Sequence, residues 1–160
     1  MHFKTIIAAI DLDDDLAEEV LKTAQSLAQK DGASLRAVTV WPSVTITAPA
    51  FSGEVAATAA TVTQSVMEQH REGRERCKEQ LAAKAAQFAP DADVVVLEGD
   101  AADEVTTYAE DVGSDLIVTG SHQRNFWNSL LQGSASRELV REAPCAVFIV
   151  TKACTDKDQG

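Results

Sequence analysis

A chain of 160 residues with 45% apolar side chains is long enough for one domain with a core and too short for two of ordinary size. Its formal charge of −11 opposes phosphate backbones and anionic lipid, which argues against non-specific nucleic-acid or membrane-surface binding. No apolar run approaches the roughly 20 residues of a spanning helix.

Thr5-Ile6-Ile7-Ala8-Ala9-Ile10 is a continuous apolar run, which predicts a strand covered on both faces, as in a parallel sheet. The acidic turn Asp11-Leu12-Asp13-Asp14-Asp15 follows, with Asp11 placed to cap a first helix. Leu16, Val20, Ala24, Leu27 and Ala28 form one stripe of that helix, which closes at Gly32. Leu35–Val40 predicts a second strand, ended by Trp41-Pro42. Residues from about 42 to 60 carry little charge, with Pro49 and Gly53 as breakers, and read as a mobile loop that turns helical somewhere past Glu54. On the helix beyond, Val62, Val66, Cys77, Leu81, Ala85 and Phe88 share a face, and His70, among Glu68, Arg71 and Glu72, reads as solvated.

Val94–Leu97 predicts the third strand, and Glu98-Gly99-Asp100 turns the chain into a third helix with Val105, Tyr108, Ala109 and Val112 facing inward. Asp115–Thr119 predicts the fourth strand. Gly120 then opens a polar loop reaching Gly133, and Ser134–Glu142 reads as a final helix. Ala146–Val150 is the fifth strand, and residues 153–160 are a polar tail. Strand and helix alternate four times before a last strand. One α/β domain over residues 1–152 is therefore expected: a doubly wound, Rossmann-like sheet of five parallel strands in the order 3-2-1-4-5. Such sheets bind ligands beyond the carboxyl ends of their strands, where Asp11, Val40, Gly99 and Gly120 all fall. Cys77, Cys145 and Cys154 lack paired or metal-ligand spacing and read as free thiols of a reducing compartment. With no signal-peptide pattern before the first strand, the cytoplasm is expected.

The most specific motif is Gly120-Ser121-His122-Gln123-Arg124 together with Gly133-Ser134-Ala135-Ser136, with nine residues between Gln123 and Gly133. Glycines let backbone approach phosphate oxygens closely, and serines at a helix start offer hydroxyls and free N–H groups to an anion. His122 and Arg124 add positive character. The bland alternative is a helix cap behind a flexible loop. On this motif the chain resembles the universal stress protein family, whose nucleotide-binding members carry Gly-x-x-Gly, nine residues, then Gly-Ser/Thr after the fourth strand. Lys4–Asp11, Glu98-Gly99-Asp100-Ala101, Asp115–Gly120 and Ala143-Pro144-Cys145-Ala146-Val147 extend the resemblance over nearly the whole chain.

The resemblance implies an ATP site, with or without Mg2+, in which Asp11 contacts adenine and Val40 packs on or bonds the base. Gly120, His122, Arg124, Gly133, Ser134, Ala135 and Ser136 would surround the phosphates. It also implies a regulatory module rather than an enzyme, and a homodimer through the last strand, Ala146, Val147, Phe148, Ile149 and Val150. One position departs: Gln123 stands where the family's second glycine belongs. His122-Gln123 and Phe126-Trp127 are similar instead to a branch of the family that does not bind ATP, so a nucleotide-free, dimeric interaction protein is the rival reading.

Two other classes fit less well. Asp11-Leu12-Asp13 after an apolar strand is how haloacid-dehalogenase-type phosphatases begin, but the lysine and acidic pair that should follow Thr119 are missing in that order. A receiver domain needs an aspartate ending strand three, where this chain has Leu97-Glu98-Gly99. No catalytic triad or metal-ligand spacing is legible, and no catalytic residue is assigned.

Overall fold

The structure, a computed structural model, describes residues 1–47, 52–120 and 143–151. Its elements run β1 (Thr5–Ala9), α1 (Ala17–Asp31), β2 (Ser34–Trp41), α2 (Glu54–Phe88), β3 (Ala92–Glu98), α3 (Ala101–Asp111), β4 (Leu116–Gly120) and β5 (Ala146–Val150). The strands form one sheet in the order β3-β2-β1-β4-β5, all pairs parallel, as expected. The helix expected over Ser134–Glu142 lies outside the described residues.

The continuous apolarity of β1 has a direct structural cause, because successive side chains point to opposite faces and both faces are covered. Ile6, Ala8 and Ile10 join the cluster under α1 and α2, with Leu35, Ala37, Leu116 and Val118. Ile7 and Ala9 join the cluster under α3, with Val38, Val105, Ala109 and Ile117. Gly32 ends α1 in the left-handed conformation that glycine adopts without a Cβ clash. Asp100 caps α3 by accepting from the N–H groups of Ala102 and Asp103.

α2 differs from expectation at its N-terminal half. It is helical from Glu54 onward, so residues 54–60 belong to the helix and not to the loop. The alanines of this stretch favour helix enough to offset its threonines. Val62, placed on the buried face by periodicity, is 58% exposed, and burial begins only at Gly73, followed by Cys77, Leu81 and Ala85. At the β3 border, Arg74 of α2 donates from Nη2 to the carbonyl of Val96 at 3.1 Å. The opposite border strand, β5, leaves Phe148 and Ile149 exposed.

Asp115 staples the two central strands together. Its Oδ2 accepts from the backbone N–H of Thr5 at 2.9 Å and of Lys4 at 2.7 Å. The Thr5 and then the Lys4 N–H hold its carboxyl below the usual carboxylate range. A depressed pKa contributes stability that is complete above the ordinary carboxylate range and is lost as pH falls through the folded-state value. Asp115→Asn should therefore lower the melting temperature at neutral pH and lose less on acidification than the wild type. Parallel acid-melting curves for the two proteins would contradict the staple.

Candidate functional site

Register alone brings three of the proposed site residues to one edge. Ala9 is level with Val38 and with Thr119. Asp11 and Val40 therefore leave the sheet at the same height, beside Gly120 at the tip of β4. The ladder continues past β1 through the Ile10 N–H, which donates to Val38 O at 2.9 Å. The buried hydroxyl of Thr39 donates to Ile10 O at 2.9 Å, so β2 fixes the root of Asp11 through two successive residues.

Asp11 does not cap α1. Its Oδ1 accepts from the Asp13 N–H at 3.0 Å, and its carbonyl accepts from the Asp14 N–H at 3.1 Å. The turn is finished by Asp14, whose Oδ1 accepts from the Leu16 N–H at 2.8 Å ahead of a helix that starts at Ala17 without a side-chain cap. The run of aspartates forms a tight turn before the helix, which displaces Asp11 from the capping position. That leaves its carboxylate beside the cleft.

The cleft measures about 340 Å³, within the lower range of small-molecule pockets. Asp11, Val40 and Trp41 line one wall, and Gly73, Arg76 and Gln80 of α2 line the other. Sequence reasoning missed this second wall. Gly73 is buried against Trp41, and a Cβ there would lie 2.7 Å from the indole Cζ2. A lone glycine inside a long, charged helix opposite a tryptophan was the available signal, since glycine in a helix interior marks a close approach.

His70 is not solvated. Its side chain is 13% exposed, its Nε2 lies 2.9 Å from Pro42 O and 3.9 Å from Glu98 Oε1, and its ring centre is 5.9 Å from that of Trp41. It ties α2 to the chain leaving β2. Nothing local to His70 revealed this, because its partners come from β2 and β3. Trp41, at the end of β2, packs on α2 and also lines the cleft.

Gly120 has a packing role of its own. It is buried, and a Cβ there would stand 3.2 Å from Leu16 Cβ, closer than side-chain carbons ordinarily approach. The remaining proposed residues, His122, Arg124, Gly133, Ser134, Ala135 and Ser136, lie outside the described residues, as does Gln123. The expected meeting of Asp11 with Ser134 across one cleft lies there too.

Burial pushes the Cys77 thiol up, so the sulfur beside the cleft is held as a weak nucleophile rather than a thiolate. Among the described residues no group of His, Cys, Asp and Glu side chains is arranged to hold a metal ion. No described helix is long and apolar enough to cross a membrane.

The family model described as the universal stress protein family matches residues 2–151. A universal stress protein of Thermus aquaticus, encoded in the QAH/OAS sulfhydrylase 3′ region, is 31% identical over 148 residues, covering 92% of this chain and 98% of its own. Among solved structures, the universal stress protein of Archaeoglobus fulgidus in complex with dAMP aligns over 93% of this chain and 98% of that one, with a TM-score of 0.52 at 18% identity. A universal stress protein family member from Arabidopsis thaliana with AMP bound aligns over 96% and 94%, with a TM-score of 0.56 at 13% identity. At such identities the structural likeness speaks for the fold, and it is the same five-stranded fold. Strand order, the turn chemistry at its carboxyl edge and a family match from His2 to Thr151 lead to one conclusion: the chain belongs to the universal stress protein family.

Proposed function

We propose that this protein is an adenine-nucleotide-binding regulatory module, taking ATP with or without Mg2+ at the carboxyl edge of its sheet. The observation that carries the reading is the convergence of Asp11 and Val40 on one cleft of about 340 Å³, beside the tip of β4 at Gly120. The dAMP and AMP complexes of the two structural relatives support the ligand class. In this reading the Asp11 carboxylate accepts from the base, Val40 packs on it, and the segment from His122 and Arg124 to Gly133, Ser134, Ala135 and Ser136 meets the phosphates. Occupancy then sets the conformation of residues 121–132 and with it the choice of protein partner. The protein acts in the cytoplasm as a homodimer paired through β5, whose Phe148 and Ile149 are exposed on a border strand.

Isothermal titration with ATP plus Mg2+, and separately with AMP, tests the ligand. Binding on the order of micromolar is expected in the wild type, weakened at least tenfold in Asp11→Asn and abolished in Gly133→Val. Absence of heat with either nucleotide in all three proteins would refute the reading and leave the nucleotide-free interaction module.

A further inference from the structure

The first half of α2 is built differently from the second. Leu81, Ala85 and Ala89 pack with Leu35 and Ala92 near the amino ends of β2 and β3. Gly73 meets Trp41, Arg74 meets Val96 O and His70 meets Pro42 O at the carboxyl ends. The helix thus runs antiparallel to the strands and crosses the sheet edge near His70. The preceding stretch, from Glu54, continues past that edge for about 24 Å at 1.5 Å per residue.

No residue from 54 to 72 is buried. Val55, Val62 and Met67 are 55%, 58% and 53% exposed, and Val44, on the segment leading to the arm, is 39% exposed. Val55, Ala59, Val62 and Val66 follow the 4-3-4 spacing that lines one side of a helix for pairing with another.

Charge identifies the occupant. The chain carries 25 acidic and 14 basic residues, yet between Ser43 and Met67 the one charged side chain is Glu54. A basic partner would be drawn to the acidic body and would gain nothing from this stripe. Two copies at −11 each repel wherever their charged surfaces meet, and they approach without that penalty where charges are missing. In an antiparallel crossing about a twofold axis, Val55 of one arm faces Val62 of the other, and both Glu54 side chains stand at the outer ends.

We propose that the α2 arm is a self-association surface, occupied by the arm of a second copy. It is separate from the β5 border and independent of nucleotide. Two arms of this length bury less than the ~1,600 Å² of a standard interface, so the contact is weak and concentration-dependent. Added salt strengthens it by screening the repulsion between the acidic bodies.

Sedimentation equilibrium of the full chain at low and high salt tests this, with circular dichroism confirming the fold of each variant. The wild type should show an association step that tightens with salt. Val55→Glu combined with Val62→Glu should weaken that step at least tenfold at unchanged melting temperature. Phe148→Glu, on β5, should leave it in place. An Ala59→Cys variant should form a disulfide-linked pair on oxidation that the wild type does not. The proposal is overturned if the wild type lacks a salt-strengthened step, if the double arm variant associates as the wild type does, or if Phe148→Glu alone removes all association.

Discussion

Alanine in place of Leu81 is expected to lower the unfolding free energy by about 2–5 kcal/mol, read from urea denaturation. Leu81 has 0% exposure and is the one large aliphatic side chain among the buried residues of α2, beside Gly73, Cys77 and Ala85. Its loss removes transfer free energy and leaves a cavity between the helix and the sheet, since close-packed neighbours relax only in part. The contrast with Val62→Ala is informative, because that exposed position should change stability by no more than about 0.5 kcal/mol. As Leu81 anchors the helix that forms one wall of the cleft, nucleotide affinity should fall with stability. A cost below about 1 kcal/mol would mean that α2 docks through other contacts.

The second large effect is expected at Gly73. Valine there drives its Cβ to within 2.7 Å of the Trp41 ring, which is flanked by His70 and cannot yield without disturbing the Pro42 contact. Two effects compete. Replacing a mid-helix glycine gains less than about 1 kcal/mol of helix propensity, and overpacking costs roughly 1–3 kcal/mol. Overpacking should win, with net destabilisation and a cleft narrowed on the Trp41 side. We expect at least a tenfold loss of nucleotide affinity in titration. Combining Gly73→Val with Trp41→Leu should restore part of the stability, because the double variant removes the ring that the new side chain meets. Additive losses in the pair would sink the steric explanation.

Much of this architecture was legible because its signals are local. The two-sided burial of β1 is written in Thr5–Ile10, the stop of α1 in Gly32, and the cap of α3 in Asp100. The start of α2 was not, because the apolar periodicity of its buried half continues into residues that no part of the sheet covers. Val62 keeps the spacing of a core residue and loses its burial for that reason. Within the site, strand order and register were enough to bring Asp11, Val40 and Gly120 to one edge. The Trp41–Gly73–His70 wall was hidden because it joins residues from distant segments whose meeting depends on the docking angle of α2. Asp11 offered two local roles, and only coordinates showed that Asp14 takes over the turn beside Leu16.

The unlike borders of the sheet carry a consequence for how far strand pairing can propagate. β5 presents an apolar margin, whereas β3 carries Asp93 and Glu98 and has the Arg74 guanidinium seated on Val96. If two copies pair through β5, as proposed, the doubled sheet would end on both sides at the charged border. In that pairing lateral growth would stop at two copies, because a charged border opposes the addition of a further strand.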